Sequence, residues 1–453
     1  MVLSIYDTFS RAPKEVASHN GVVTMYCCGP TVYRDAHVGN LRTFLLSDLI
    51  RRTLEIQGKT VELIQNITDV GHMAEDANPQ DKMLAQAKLE AIDPFEIARK
   101  YEAKFHDDLA LLNIKTARSY PRASESIALM HELIAKLIEL DHAYVGTDGS
   151  VYFAADSFAS YGAISGNRLA DLKPGHRYEY TDEGGKRFHA DWALWKAAGD
   201  RTEMVWDSPW GRGFPGWHIE CSAMSLDLLG EVIDIHVGGI DLRFPHHENE
   251  RAQTNSVTGI ESVKLWVHGE HLLFEDRKMA KSSGNVVLLK DLVERGFDPL
   301  SLRLCLLENR YRSQMDLTWD SIAAANATLK RWRRSGFGKA TNYQPDHPTL
   351  DALNNDLDTP RVIQRLRNVE KDAKLTDSEK AEVFTFADQV LALDLGRDLV
   401  VAELPSELAS LLTAREVARS TKNWSESDRL RAELESAGLI INDTADGQEW
   451  EYR

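Results

Sequence analysis

The chain has few cysteines and no long apolar run. Four cysteines in 453 residues cannot form a disulfide framework, so we expect a reducing compartment, the cytoplasm. No stretch of about 18 apolar residues is present, and we therefore expect no membrane span. The amino-terminal segment MVLSIYDTFSRAPKE lacks the basic region and apolar run of a secretory signal. These absences favour a globular protein of the cytoplasm.

Positive charge is also scarce. The formal net charge is −17, which argues against indiscriminate binding to nucleic acids. A local basic surface is still compatible with this charge, because phosphate contacts depend on where the cations lie. One basic run, with Lys330, Arg331, Arg333 and Arg334, is either such a surface or a solvated face of a helix.

Chain length and hydrophobic patterning favour several domains with an α/β fold. A chain of 453 residues exceeds one ordinary core. Residues 21–29 predict a buried strand, 41–56 an amphipathic helix and 60–70 a second strand. Such a βαβ unit indicates a parallel sheet, whose ligands bind beyond the carboxyl ends of the strands, where residues 28–40 fall.

The rest of the chain extends this pattern. Beyond the βαβ unit the sequence predicts mainly helices over 80–145, an irregular insertion over 150–215, strands at 231–239 and 263–274, a helix at 244–257, helices from 318 onward with a break near 343–360, and a terminal hairpin or small α/β appendage.

Histidines and one cysteine crowd into the segment 218–271. His246 and Glu250 are four residues apart, so a helix would present both on one face. Cys221 and one cysteine of "YCCG" would add two thiolates, and two thiolates, an imidazole and a carboxylate suit zinc. The alternative is that the cysteines are core residues and the histidines lie at the surface. No HExxH motif is present, so a protease-type zinc site is not indicated.

Two further motifs could bind phosphate. "RKMAKSSGN", residues 277–285, places Lys278 and Lys281 in one loop, where they could neutralise a reacting triphosphate; otherwise it is a solvated basic turn. In "HVGN", His37 could donate to a phosphate at a helix N-terminus and Gly39 would allow close approach. The alternative is that Asn40 is an ordinary N-cap and Gly39 a turn residue.

Together these motifs resemble the two signature sequences of class I aminoacyl-tRNA synthetases. The segments "CCGPTVY", "NITDV", "PGWHIECSAM" and "GGIDLRFPHHENE" are similar to the cysteinyl-tRNA synthetase family, and the resemblance runs from about Tyr6 to the terminal "GQEWEYR". Two residues depart from the usual signatures. Asn40 stands in place of the second histidine of the first signature, and Ala280 in place of the first serine of the second.

The resemblance implies a domain organisation. It places a Rossmann-like parallel-sheet catalytic domain over residues 1–317, with an insertion near 115–215. A tRNA-binding helical bundle follows over 318–400, and a small anticodon-binding region over 401–453.

The resemblance also implies site residues. The family's zinc ligands match Cys28, Cys221, His246 and Glu250, with one zinc per chain. Its catalytic and ATP-binding positions match His37, Gly39, Asn40, Lys278 and Lys281. Its amino-acid pocket matches Thr68, Trp217 and His236.

The implied activity is the joining of L-cysteine to tRNA(Cys). The cysteine carboxylate attacks the α-phosphorus of ATP, which enters with Mg²⁺, and the cysteinyl group then passes to the terminal adenosine of tRNA. A monomer without a membrane partner is expected. Two alternatives stay open: the related cysteine ligase of mycothiol biosynthesis, and a non-catalytic binding paralogue that keeps the fold.

The lysine loop leads to a first prediction. Lys281→Ala should slow adenylate formation by about 10²–10³-fold, because the loop acts on charge that develops at the phosphates. Cysteine affinity should change much less. Single-turnover kinetics and cysteine binding measure the two quantities, and a loss confined to cysteine affinity would contradict the assignment.

Overall fold

The computed structural model describes residues 2–18, 20–71, 73–74, 78–172, 185–279, 285–398, 404–444 and 447–452. They divide into two compact units, Met1–Arg397 and Asp398–Arg453.

The strands of the described residues are β1 Ser4–Asp7, β2 Ala12–Glu15, β3 Val22–Cys27, β4 Thr60–Gln65, β5 Met73–Ala74, β6 Asn78–Asp81, β7 Ala143–Val145, β8 Val151–Phe153, β9 Trp192–Ala197, β10 Gly213–Pro215, β11 Ile233–Gly239, β12 Val263–Gly269, β13 Leu272–Phe274, β14 Arg277–Lys278, β15 Met315–Leu317, β16 Leu439–Thr444 and β17 Gly447–Tyr452.

The α-helices are α1 Val38–Glu55, α2 Lys82–Glu90, α3 Pro94–Leu111, α4 Ile127–Glu139, α5 Trp217–Leu229, α6 His246–Thr258, α7 Leu289–Glu294, α8 Pro299–Leu307, α9 Trp319–Arg334, α10 His347–Asn354, α11 Thr359–Lys371, α12 Asp377–Leu391, α13 Ser406–Ser420 and α14 Trp424–Ser436. Among the described residues, no helix is both long enough and apolar enough to cross a bilayer.

The core of the first unit is a parallel sheet with strand order β12-β11-β3-β4. Side chains alternate between its faces. Met25 and Cys27 join the large hydrophobic cluster that includes α1, whereas Tyr26 and Cys28 join a second cluster with Cys221 and Trp266. The predicted α/β class and the predicted βαβ unit are confirmed, with β3, α1 and β4 as its members. The helix begins at Val38 rather than at 41, and the second strand ends at Gln65 rather than at 70.

The insertion is more regular than predicted. The expectation of an irregular segment over 150–215 is wrong in part, because β8, β9 and β10 lie within it and join β7 in an antiparallel sheet with the order β10-β9-β8-β7. Aromatic rings hold this sheet together, and Phe153 stacks on Trp192 with 4.4 Å between ring centroids. The strands β7, β8 and β10 have three residues each, which leaves too short an alternation to detect in the sequence.

The predicted break near 343–360 is also wrong, because it contains α10. Asp346 caps this helix by accepting from the Thr349 backbone N–H at 3.1 Å, and Pro348 lies in the first turn. A proline there starts a helix rather than interrupting one. Helices α9 to α12 share the hydrophobic cluster of the central sheet, with Leu329, Val362 and Phe384 buried in it. The division of the chain at 317 and 400 stays a prediction.

The second unit has its own small core. Leu412 of α13, Leu434 of α14, and Leu439 and Ile441 of β16 form it. Strands β16 and β17 pair in antiparallel fashion, so the predicted terminal hairpin is confirmed.

A buried ion pair ties α1 to α8 in the first unit. Arg303 Nη2 lies 2.6 Å from Asp48 Oδ2, and neither side chain is exposed. Arg52 donates to the same oxygen at 2.8 Å, and the Lys115 backbone N–H donates to Oδ1 at 3.0 Å. Burial would raise the pKa of Asp48, but Arg303 and Arg52 outweigh it and hold the pKa below its usual value. The Arg303 Nε also donates to the carbonyl of Leu391 at 2.6 Å.

We expect Asp48→Asn to destabilise the protein by about 3–5 kcal/mol at pH 7, because it leaves the Arg303 charge buried and unpaired. Urea unfolding measures the loss. A matched control is Glu62→Gln, since Glu62 pairs with Arg118 at the surface and such pairs contribute less than about 1 kcal/mol.

The pH dependence has a defined sign. The folded-state pKa of Asp48 lies below its unfolded value of 3.8, so the stability it contributes is present above that value. It is lost only as the pH falls through the folded pKa. Equal unfolding midpoints for the Asp48→Asn variant and the wild type at pH 7 would contradict this account.

Candidate functional site

The candidate site lies where the carboxyl ends of β3 and β11 meet helices α5 and α6. The chain passes very close to itself here, and a Cβ on Gly29 would lie 1.5 Å from the backbone oxygen of Asn66. Only glycine therefore fits after Cys28. The Gly29 N–H donates to Asn66 Oδ1 at 2.8 Å, which holds the end of β3 against the residue that follows β4.

Cys28 is the centre of a buried group of donor atoms. Its Sγ lies 3.9 Å from Cys221 Sγ, 3.5 Å from Glu250 Oε1, 3.4 Å from His236 Nε2 and 3.3 Å from His247 Nε2. These distances bring atoms from β11, α5 and α6 around one point.

The donors form two overlapping sets of four that could hold a metal ion. Within each set, the donor atoms lie within 4.8 Å of one another. One set is Cys28, Cys221, His246 and Glu250, and the other is Cys28, His236, His247 and Glu250. The structure therefore brings together all four residues that the sequence proposed as zinc ligands, and it adds a second possibility through His247. Their role as ligands stays a prediction.

Burial controls the protonation of this cluster. It raises the pKa of the Glu250 carboxyl and of the Cys28 thiol well above their usual values, and it lowers the pKa of His236 well below its own. Burial acts in the same direction on Cys221, but hydrogen bonds with Cys28 and His246 outweigh it and lower the Cys221 pKa. Without a cation, Glu250, Cys28 and His236 thus tend towards their neutral forms, and a bound divalent cation would favour the thiolate and carboxylate forms.

The donor set fits zinc. Two sulfurs, an imidazole and a carboxylate match the ligands this metal prefers. The carboxylate of Glu250, only 2% exposed, faces His246 Nε2 at 2.9 Å and His236 Nε2 at 3.4 Å. Within the described ranges, no lysine or arginine forms a salt bridge with it. A buried carboxylate without a fixed positive partner is costly, and a metal ion would supply the missing charge.

A second layer of histidines supports the donors. His247 Nδ1 lies 2.8 Å from His268 Nε2, and His268 Nδ1 lies 2.8 Å from Thr8 Oγ1. On α5, His218 Nδ1 lies 2.8 Å from His246 Nδ1. Each contact orients an imidazole through its second nitrogen, as is usual around metal ligands.

The three residues predicted to line an amino-acid pocket lie in or near the cluster. His236 belongs to it directly, and its Nδ1 is buried without a hydrogen-bond partner in the described structure. Trp217 begins α5, is 38% exposed, and its ring lies 4.3 Å from that of His246. Thr68 Oγ1 donates to Glu220 Oε2 at 2.8 Å. The role of these residues as a pocket stays a prediction.

The "HVGN" motif forms the start of α1. His37 is the N-cap, since its Nδ1 accepts from the Asn40 N–H at 3.2 Å, and Asn40 Oδ1 accepts from the His37 N–H at 3.2 Å. The alternative that Asn40 is the N-cap is therefore wrong. A Cβ on Gly39 would lie 2.9 Å from Met279 Cε, so this glycine permits contact between α1 and the residue next to Lys278.

His37 is neutral at pH 7. Burial, followed by the charge of Arg34, lowers its pKa to about 4. Because Nδ1 accepts a hydrogen bond, the proton of the neutral ring lies on Nε2. His37 can thus donate an N–H to a phosphate, but it does not add a positive charge. Lys278, at the end of β14, is exposed, whereas Ala280 and Lys281 lie outside the described residues.

Sequence reasoning missed two residues of this site. Asn66 lies 3.6 Å from Cys221 Sγ through its Oδ1, and the buried Glu220 accepts from Thr68. Both had a signal in the sequence. Asn66 follows a buried strand of a parallel sheet, where polar residues gather, and Glu220 directly precedes Cys221.

Comparison with known proteins covers both units. Residues 14–327 match the family described as tRNA synthetases class I (C) catalytic domain, and residues 401–450 match the cysteinyl-tRNA ligase anticodon binding domain. The cysteine–tRNA ligase of Thermus thermophilus is 41% identical over 482 residues, covering 99% of each chain. That of Opitutus terrae is 39% identical over 462 residues, covering 99% of this chain and 98% of its own.

Among solved structures, the methionyl-tRNA synthetase of Mycobacterium tuberculosis in complex with methionyl-adenylate has a similar fold. The TM-score is 0.54 at 15% identity, over 82% of this chain and 90% of that one. At this identity the likeness bears on the fold alone.

The two adjacent cysteines are predicted to have different roles, with Cys27 in the hydrophobic core and Cys28 in the metal site. Cys27 is fully buried among side chains on the α1 side, and burial raises its pKa to about 12. We expect Cys27→Ala to keep one zinc per chain, and Cys28→Ala to lose it together with cysteine activation. Elemental analysis of the purified variants and cysteine-dependent pyrophosphate exchange measure both effects. The reverse pattern would show that the register of β3 has been misassigned.

The two histidine positions distinguish the two donor sets. We expect His246→Ala to lose zinc and His247→Ala to retain it, because the first set contains two sulfurs and zinc favours thiolates. The same metal analysis decides between them. Zinc retained by His246→Ala and lost by His247→Ala would assign the metal to the second set.

Proposed function

The chain belongs to the cysteinyl-tRNA synthetase family of class I aminoacyl-tRNA synthetases, and from this membership we propose that it joins L-cysteine to tRNA(Cys) through cysteinyl-adenylate. The observation that carries the proposal is the buried group of two thiols, imidazoles and a carboxylate beside the N-terminus of α1. We propose that a site for a sulfur-bearing amino acid and a site for phosphates lie together at the carboxyl end of β3.

The first step forms the adenylate. A carboxylate oxygen of cysteine attacks the α-phosphorus of ATP, the bond to the bridging oxygen breaks, and pyrophosphate leaves with the electron pair. Residues of the chain position the phosphates and stabilise developing charge. His37 donates its Nε2–H, the N-terminus of α1 contributes the positive end of the helix dipole, and Lys278 and Lys281 supply positive charge, with Mg²⁺ accompanying ATP.

The metal cluster selects the amino acid. Cys28, Cys221, His246 and Glu250 would hold a zinc ion, which binds a thiolate far better than an alcohol. Serine differs from cysteine by one atom, and an apolar pocket separates such analogues by only about 10–200-fold. Thr68, Trp217 and His236 are placed to line the rest of the amino-acid pocket.

The second step transfers the cysteinyl group to tRNA. A hydroxyl of the terminal adenosine attacks the carbonyl carbon of the adenylate, AMP leaves, and the hydroxyl proton is released. The match of residues 401–450 to an anticodon-binding family supports tRNA as acceptor over the amino-sugar of the mycothiol ligase. The complete donor group argues against a non-catalytic paralogue. We propose that the protein acts as a cytoplasmic monomer.

Two arginines of the basic run in α9 form ion pairs within the protein. Arg333 is buried, and its Nη1 donates to Asp298 at 2.5 Å, while Arg331 pairs with Glu370 at 2.7 Å. These two guanidinium groups stabilise the helices of the first unit. For both of them, this favours a structural role over contact with RNA phosphates.

Removal of the second unit tests whether the first unit alone forms the adenylate and whether the second unit contributes to tRNA charging. A chain ending at Arg397 should retain cysteine-dependent ATP–pyrophosphate exchange, because the metal cluster and α1 lie in the first unit. Charging of tRNA(Cys) should fall by at least about tenfold. Serine in place of cysteine serves as the control for exchange.

The results have distinct meanings. Absence of exchange from the full chain with zinc and Mg²⁺ would refute the proposed function. Full charging by the shortened chain would show that the second unit does not contribute to tRNA recognition.

A further inference from the structure

A cavity of about 270 Å³ opens beside the carboxyl end of β12 and outside the donor cluster. Three guanidinium groups line it, from Arg11, Arg243 and Arg312, together with one carboxylate, from Glu270. This excess of positive charge is notable in a chain whose net charge is −17. The cavity therefore has the charge of an anion site.

Two of these arginines have no acidic partner. In the described part of the chain, neither Arg11 nor Arg243 forms an ion pair, and the Nε of Arg243 is buried without an acceptor. A buried donor left unsatisfied costs about 1–3 kcal/mol, which a ligand oxygen would offset. This unsatisfied donor is a second observation, independent of the count of charges, that indicates a bound anion.

The third arginine, Arg312, is held in place by contacts with neighbouring side chains. Arg312 donates from Nε and Nη2 to Asp356 Oδ2 at 2.8 and 2.5 Å, and its guanidinium lies 4.3 Å above the Tyr6 ring. Glu270 accepts from the backbone N–H of His271 at 3.0 Å through Oε1. Arg11 and Arg243 thus remain available to a ligand.

We propose that this cavity binds a phosphate group. Arginine matches phosphate oxygens through its planar array of donors. Arg11 reaches the cavity from the turn between β1 and β2, and Arg243 from a short 3₁₀ helix over Ile240–Arg243, so a tetrahedral group can contact both. This inference rests on the proposed function, whose reactants are rich in phosphate. The phosphate belongs either to the tRNA backbone or to pyrophosphate.

Direct binding tests the proposal on the full chain. The probes are a tRNA(Cys) transcript, followed by filter binding across a salt series, and sodium pyrophosphate, followed by calorimetry. Arg11→Gln and Arg243→Gln are the test variants. Arg118→Gln is the matched control, because it removes the same charge from an exposed guanidinium that already pairs with Glu62 at 2.6 Å.

We expect each test variant to bind one of the two ligands about tenfold more weakly than the wild type does. The control variant should bind both ligands as tightly as the wild type. Weaker tRNA binding, with the slope of log affinity against log salt reduced by about 0.7–0.9, would assign the phosphate to RNA. Weaker pyrophosphate binding alone would assign it to the small anion. If both variants bind both ligands within twofold of the wild type, the proposal is wrong.

The test of the cavity is independent of the test of the proposed function. The binding measurements need no catalysis, so they decide the cavity even if the full chain shows no cysteine-dependent exchange. Arg11 is exposed, so its substitution should leave folding intact, and thermal unfolding of both variants checks this.

Discussion

The burial of Glu250 beside two thiols and two imidazoles is the constraint on which the rest of the site depends. Such a group is costly inside a protein unless a positive charge compensates it. The described chain offers Glu250 no lysine or arginine partner, so the compensation must come from a bound cation or from a proton. The neighbouring backbone is built around this requirement, with Gly29 allowing β3 to end close to Asn66.

Helix α6 serves two purposes at once. One side of it carries the donors His246, His247 and Glu250, and other residues hold the insertion. Glu248 Oε2 accepts from the backbone N–H of Ser165 at 2.9 Å, and Asn249 Oδ1 accepts from the Tyr161 hydroxyl at 2.5 Å. The position of the insertion is thus coupled to the donors, which explains why a helix with so many buried polar residues is tolerated.

Charge at the phosphate end of the site is divided between different groups. His37 is neutral because its partial burial disfavours the charged form, and its contact with the Asn40 N–H leaves the remaining proton on Nε2. Positive charge is available instead from Lys278 of β14, which is exposed, and the α1 dipole adds to it. The N-cap contact thus fixes the orientation of the His37 ring, whereas an exposed side chain such as Lys278 carries the positive charge.

The sequence by itself determined the α/β class, the first βαβ unit and the terminal hairpin, and it singled out Cys28, Cys221, His246 and Glu250 as candidate donors. Strong periodicity, long motifs and a helical spacing of four carry that information locally. It could not determine the antiparallel sheet of the insertion, most of whose strands are too short to show a period. Nor could it find the second donor set through His247, the residues Asn66 and Glu220, or the cavity of Arg11 and Arg243. Those features join residues that are distant in the chain, so only the tertiary structure decided them.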